Sequence, residues 1–208
     1  MPRVDEYGRP VRYDRTYRTC RLVSQVFHPI VNGVVSFILV GIRASGLRSL
    51  TYGLGWAGVC MLTLIAPPAF FFYMRLSRGA YSDDDVSHRS ERYGLYLVAI
   101  ASTVGGGCLL YLLGVPALFL RLMIAAIAVT GISMLINFRW KISVHSASIA
   151  SLSTLATILF QGLGGVLWLC AILVGWARVR TGNHTPLQVL AGWCVAIAGV
   201  VLAFRLWA

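Results

Sequence analysis

Arg178, Arg180 and His184 fall within seven residues of one another, in a polar window that runs from Arg178 to Gln188 between two apolar runs. Ionisable side chains at membrane depth are costly unless they line a wet cavity. Two cations and a histidine crowded together in so apolar a chain therefore point to an anionic guest. The window closes on Thr185-Pro186-Leu187-Gln188, a capping box with Thr at the N-cap, Pro at N1 and Gln at N3. A cap accounts for Thr185 and Gln188 through the backbone alone, but not for His184 or the arginines. It also aims the free N–H groups of a helix start at the same place.

Two further windows carry the same kinds of side chain. In Arg139-Trp140-Lys141-Ile142-Ser143-Val144-His145-Ser146, the residues Lys141, Ser143 and His145 alternate and share a face if the segment is extended. An interfacial Arg-Trp-Lys is ordinarily a snorkelling anchor, and Ser143 serves equally well as a helix cap. His145, at a helix entry beside a hydroxyl and a cation, is harder to explain in those terms. The loop 75–93 is near neutral, which fits a solvated loop with internal ion pairs. Its sharper readings are two. Arg89 and Arg92, three apart on a starting helix, could both reach a phosphate, or Asp83, Asp84 and Asp85 could hold Mg²⁺ against a diphosphate. A haem site built on His28, His88, His145 and His184 is a weaker reading, since none lies mid-helix with a partner opposite.

The elements that must position these residues are membrane helices. Of 208 residues, 58% are hydrophobic and 12% charged, at a mean hydropathy of +0.75, too little polar surface for a soluble domain. Apolar runs at 23–42, 52–74, 94–113, 116–138, 144–160, 163–177 and 187–207 predict an all-α integral membrane bundle of six to seven transmembrane helices. Residues 1–22 form a basic tail and 23–208 the transmembrane domain. The cluster Gln161-Gly162-Leu163-Gly164-Gly165 predicts a tight hairpin between the fifth and sixth runs. Small residues in the fifth run, and Gly105-Gly106-Gly107 in the third, predict that these two helices form the bundle's centre.

With the N-terminus inside, the tail and the three polar segments share one side, holding 14 of the 18 Lys and Arg and leaving out Arg43, Arg48, Arg121 and Arg205. The positive-inside rule makes that side the cytoplasm, the membrane then being the plasma (inner) membrane. The net charge of +11 fits this orientation and an anionic ligand. It does not indicate nucleic acid, because no aromatic-basic interleaving or soluble surface accompanies it. The five cysteines are scattered without ligand-like spacing and read as apolar fillers.

Taken together, Lys141-x-Ser143-x-His145 followed by Arg178-x5-His184-x3-Gln188 resembles the type 2 phosphatidic acid phosphatase superfamily of lipid phosphate phosphatases, over roughly residues 137–208. That family's pattern is Lys-x6-Arg-Pro, then Pro-Ser-Gly-His, then Ser-Arg-x5-His-x3-Asp. The departures make this a divergent member. Ile142, Val144 and Ala177 replace Pro, Gly and Ser, Gln188 replaces the final Asp, and no Lys-x6-Arg-Pro exists, Arg89 or Arg92 being the nearest substitute. The resemblance implies a cofactor-free hydrolase acting on a lipid phosphate in the bilayer. In it His184 attacks phosphorus to form a phosphohistidine, and Arg178, Lys141 and Ser143, with Arg89 or Arg92, hold the phosphate oxygens. His145 protonates the leaving alcohol, and Gln188 orients His184.

Three functions compete on this reading. The first is a metal-independent phosphatase for an isoprenoid phosphate or phosphatidate. The second is a non-catalytic membrane subunit that binds an anionic headgroup through the same cations, motivated by Gln188 and the missing first motif. The third is a Mg²⁺-dependent prenyl transferase using Asp83, Asp84 and Asp85, which lacks the second acidic cluster such sites usually need. Homo-oligomer or larger membrane complex is left open by the sequence.

Overall fold

The computed structural model describes residues 13–205, folded among those residues as nine α-helices without a strand. They are α1 (Arg15–Val26), α2 (Pro29–Ala44), α3 (Leu50–Cys60), α4 (Ala66–Ser77), α5 (Tyr93–Leu112), α6 (Ala117–Arg139), α7 (Val144–Leu159), α8 (Gln161–Arg180) and α9 (Pro186–Arg205). The apolar runs return as helix among the described residues, except that the first is broken at Phe27–His28 between α1 and α2. Five continuous helices are long and apolar enough to cross a membrane, six if the bent pair α1–α2 counts as one, while α7 is shorter. The chain is a helical membrane protein. Arg3, Arg9 and Arg12 of the basic tail lie outside the described residues. The rest of the tail is ordered further than its composition suggests: Asp14 caps α1 by accepting the Tyr17 N–H at 2.8 Å, and α1 runs through residue 22. Tyr17, Cys20 and Ser24 form its buried stripe, packed against α8.

The second run is one long helix with an irregular turn next to its prolines. Pro67 and Pro68 have no N–H to give to the carbonyls of Thr63 and Leu64, and a π-turn at Met61–Ile65 absorbs the mismatch between α3 and α4. Ser102 Oγ lies 3.1 Å from Thr63 O and 3.3 Å from Leu64 O, so a hydroxyl on α5 supplies the missing donor. Gly106 permits this approach: a Cβ there would meet Leu64 Cδ2 at 2.6 Å and Thr63 Cγ2 at 2.8 Å.

The centre of the bundle is α7 alone. Ten of its 16 residues are buried, between α2, α8 and α9, and its serines and threonines turn back onto their own helix: Ser153, Thr154 and Thr157 donate to the carbonyls of Ile149, Ala150 and Ser153 at 2.8 Å. Helix α5, in contrast, lies at the periphery with most of its surface exposed. Its glycines serve one local contact with the π-turn, which corrects the expectation that the third run shares the centre. The expected hairpin at 161–165 is also corrected. The chain reverses at the single extended residue Phe160, and the glycines open α8. Gly164 there lies so close to Thr157 that an added Cβ would sit 2.7 Å from its backbone nitrogen. The sequence signal is one of close helix approach in lipid, where small residues favour packing, rather than of a turn.

Candidate active site

Four chain segments meet at one end of the bundle: α1, the loop between α4 and α5, the extended link 140–143, and the link between α8 and α9. Arg89 Nη1 donates to the carbonyl of Arg139 at 2.9 Å, Lys141 Nζ donates to Asn183 O at 2.7 Å, and Ser143 N–H donates to Gln188 O at 3.3 Å. The polar windows therefore share one end, as helix parity predicts.

His184 sits in the α8–α9 link, 2% exposed. Its Nδ1 is 2.9 Å from Gln188 Oε1, and the same oxygen accepts the Thr185 N–H at 3.2 Å, while Thr185 Oγ1 accepts the Gln188 N–H at 3.3 Å. The capping box and the orienting contact are one arrangement. Because the Thr185 amide can only donate, the atom it faces is the amide oxygen, and Nδ1 carries the His184 proton. That leaves the Nε2 lone pair available. Burial, followed by the charges of Arg178, Arg92 and Lys141, pushes His184 well below the ordinary histidine range, against the opposing bond to Gln188. The ring is neutral at neutral pH.

Arg178, in the last turn of α8, is fully buried; its Nε has no hydrogen-bond partner among the described residues, and its Nη1 has an ion-pair contact with Asp85 rather than a hydrogen bond. His145, in the first turn of α7, is likewise buried with Nε2 unpartnered. Buried polar atoms without hydrogen bonds cost about 1–3 kcal/mol each, so Arg178 Nε and His145 Nε2, at one place, call for an explanation, a bound ligand being one.

Into this place reaches Asp85, from the loop before α5. Its Oδ2 accepts from Arg21 Nη1 at 2.8 Å and from Asn183 Nδ2 at 2.7 Å, and lies 3.2 Å from Arg178 Nη1. Its Oδ1 lies 4.0 Å from His145 Nε2. Burial pushes the Asp85 carboxyl up, but Arg178, Arg21 and the Asn183 bond outweigh it and hold the group below the usual carboxylate range. The next residue, Val86, has φ +46°, an outlier for a β-branched side chain. Arg92 holds it there, donating from Nε to Val86 O at 2.8 Å and from Nη1 to Ile142 O at 2.9 Å.

The sequence-predicted residues thus separate. His145, Arg178, His184 and Gln188 come together. Lys141 and Arg92 lie close enough to act on His184 electrostatically, each with a hydrogen bond to a backbone carbonyl. Ser143 Oγ accepts the Ser146 N–H at 3.3 Å as the cap of α7 and pairs with Ser146 Oγ at 2.8 Å, and Arg89 is exposed on the carbonyls that end α6. Asp83 Oδ1 accepts the N–H groups of Asp85 and Ser87, and Asp84 pairs with Arg21 at 2.6 Å. The aspartates therefore face arginine and backbone. Sequence reasoning missed Arg21, Asn183 and His28 as neighbours of the site. The His28 ring stands edge-on to His145 at 5.5 Å between centroids, and its Nδ1 accepts the Ile30 N–H at the start of α2.

A cavity of about 370 Å³ runs from this cluster into the bundle, with His28, Asp85, His145 and His184 at its polar end and Phe37, Leu122, Met123 and Val200 along its apolar course.

Residues 122–208 match the PAP2 superfamily. Over that segment, somewhat less than half of its length, the chain is similar to the PAP2 superfamily. Members of this superfamily are generally phosphatases. The matched PAP2 segment holds His145, Arg178, Asn183, His184 and Gln188, whereas Arg21, His28 and Asp85 come from outside it. No curated protein and no solved structure matches the chain.

Proposed function

We propose that this protein is a metal-independent phosphatase that hydrolyses the phosphate of an isoprenoid phosphate or a phosphatidate-like lipid. The observation that carries the reading is the pairing of a neutral His184, with its proton fixed on Nδ1, and a buried Arg178 whose Nε lacks a hydrogen-bond partner among the described residues and whose Nη1 already faces an anionic oxygen, that of Asp85. In the first step the His184 Nε2 lone pair attacks phosphorus while the bond to the lipid oxygen breaks. His145, as the imidazolium that a bound phosphate dianion favours, gives its Nε2 proton to that oxygen and becomes neutral, and a lipid alcohol leaves. In the second step His145 takes a proton from water, the hydroxide oxygen bonds to phosphorus, the N–P bond breaks, and inorganic phosphate and free His184 remain. Arg178 neutralises the charge that builds on the non-bridging oxygens in both steps, with Lys141 and Arg92 adding positive potential. The apolar cavity receives the lipid chain, its volume being within the range of ligand pockets. The site faces the cytoplasm of the plasma (inner) membrane on the charge argument above.

One observation favours a second reading, a headgroup-binding subunit without turnover. Gln188 is neutral where the family has a carboxylate, so it cannot stabilise an imidazolium on His184. Phosphate release from lipid phosphates in EDTA, beside the His184→Ala variant, separates the two readings: turnover lost in the variant supports the phosphatase, and binding without turnover supports the subunit.

A further inference from the structure

We propose that Arg21 is a phosphate-binding residue of this site, and that Asp85 holds the phosphate's place until substrate arrives. The inference rests on the anion-site reading above and names a residue beyond it. A carboxylate oxygen and a phosphoryl oxygen take the same charge-assisted donors. The Asp85 Oδ2 atom, on a side chain 7% exposed, draws Arg21 from α1, and Arg178 and Asn183 from the end of α8 and the link after it, onto one point. That point is therefore an anion position, and an anionic oxygen that replaces Asp85 inherits all three.

Arg21 is placed to serve there. Its Nη1 and Nη2 face two carboxylates, on Asp85 at 2.8 Å and Asp84 at 2.6 Å, which is the fork that binds a tetrahedral oxyanion through two oxygens. The helix that carries it is fixed to the catalytic end of α8 by Arg180 Nη2 on Asp14 Oδ2 at 2.7 Å. Arg89 and Arg92, the cations expected to replace the absent first motif, are engaged with backbone carbonyls. A cation from α1 stands nearer the anion position. The Asp85 side chain is held by Arg21, Arg178 and Asn183, donors that a phosphate oxygen would also take.

The test is calorimetric titration of inorganic phosphate into the full chain in detergent, for wild type, Asp85→Asn, Arg21→Ala, Arg178→Ala and the double variant Arg21→Ala/Asp85→Asn. Removal of the internal competitor in Asp85→Asn should tighten phosphate binding about tenfold or more, and Arg21→Ala in that background should weaken it about tenfold or more. If Arg21→Ala fails to fold, Arg21→Lys carries the test, with several-fold weaker binding expected from the loss of the fork. A double variant that binds phosphate as tightly as Asp85→Asn would make Arg21 only a counterion of Asp85 and overturn the assignment. Weaker binding in Asp85→Asn would overturn the place-holding role. Binding that Arg178→Ala abolishes and Arg21→Ala leaves unchanged defeats Arg21 alone. No binding in any variant, Asp85→Asn included, defeats the anion site itself.

Discussion

His184 Nδ1 stands 2.9 Å from Gln188 Oε1, so an amide performs the orienting task that the family gives to a carboxylate. It fixes the tautomer and ring orientation, but on the proposed mechanism it offers no charge to the imidazolium-like state that would develop as His184 attacks. Replacing Gln188 by the isosteric Glu should leave the Thr185 cap intact, since a carboxylate oxygen also accepts that N–H. We expect kcat on a lipid phosphate to rise about tenfold or more, within the roughly 10⁴-fold that a comparable carboxylate-to-amide change removes elsewhere. Unchanged kcat, measured by phosphate release, would remove charge at position 188 as the rate's limit.

The role of His145 is tested by the leaving group. An alkyl lipid alkoxide needs a proton as it departs, and an aryl phosphate such as p-nitrophenyl phosphate hardly does. His145→Ala should therefore lower kcat on the lipid substrate by about 10²–10⁴, and on the aryl phosphate by much less when formation of the phosphohistidine is followed in single turnover. Equal losses on both would make His145 a binding residue.

The pH dependence has a definite sign. His184 is pushed below the ordinary histidine range in the fold, so the unfolded chain takes up its proton first as pH falls. The stability contributed by neutral His184 is fully present above about pH 6.5 and is lost as pH falls below that value through the folded pKa. The slope is about 1.4 kcal/mol per pH unit while the ring stays neutral in the fold. Thermal unfolding between pH 7.5 and 5 should fall more steeply for wild type than for His184→Gln. The acid limb of kcat/KM that belongs to the nucleophile should likewise lie below pH 6.5, and Gln188→Glu should move it upward.

Gly192 ties the fold to the site. A Cβ there would meet Ser143 O at 2.9 Å and Ala147 N at 3.2 Å, both backbone atoms at the start of α7, next to His145. Gly192→Ala should displace α9 from α7, cost about 1–3 kcal/mol and lower kcat by more than it changes detergent-solubilised yield, since small misplacements of catalytic groups are costly. Wild-type activity in that variant would show the two helices to be free to separate without moving the site.

How far the sequence could be read follows from the physics of each feature. Apolar runs must match a bilayer's thickness, so the runs returned as helix, the first of them in two pieces. The capping box and the His184–Gln188 contact are local, set by a four-residue spacing, and both readings of Gln188 hold at once. Glycine clusters were ambiguous, because the same residue serves a turn and a close helix approach. Gly164 and Gly106 serve the latter. Arg21 and Asp85 were legible only as members of a basic tail and an acidic loop. Their pairing spans 64 residues and depends on the way α1 packs on α8, which no local pattern encodes. Arg89 and Arg92 show the same limit: their hydrogen bonds to backbone carbonyls of residues about 50 positions away could not be read from local spacing.

The most direct measurement is phosphate release by the purified full chain from a panel of isoprenoid phosphates, diphosphates and phosphatidate, with EDTA present, alongside His184→Ala and His145→Ala. We expect turnover in EDTA that is abolished in His184→Ala and strongly reduced in His145→Ala. Phosphate release that survives in both variants would contradict the phosphohistidine mechanism.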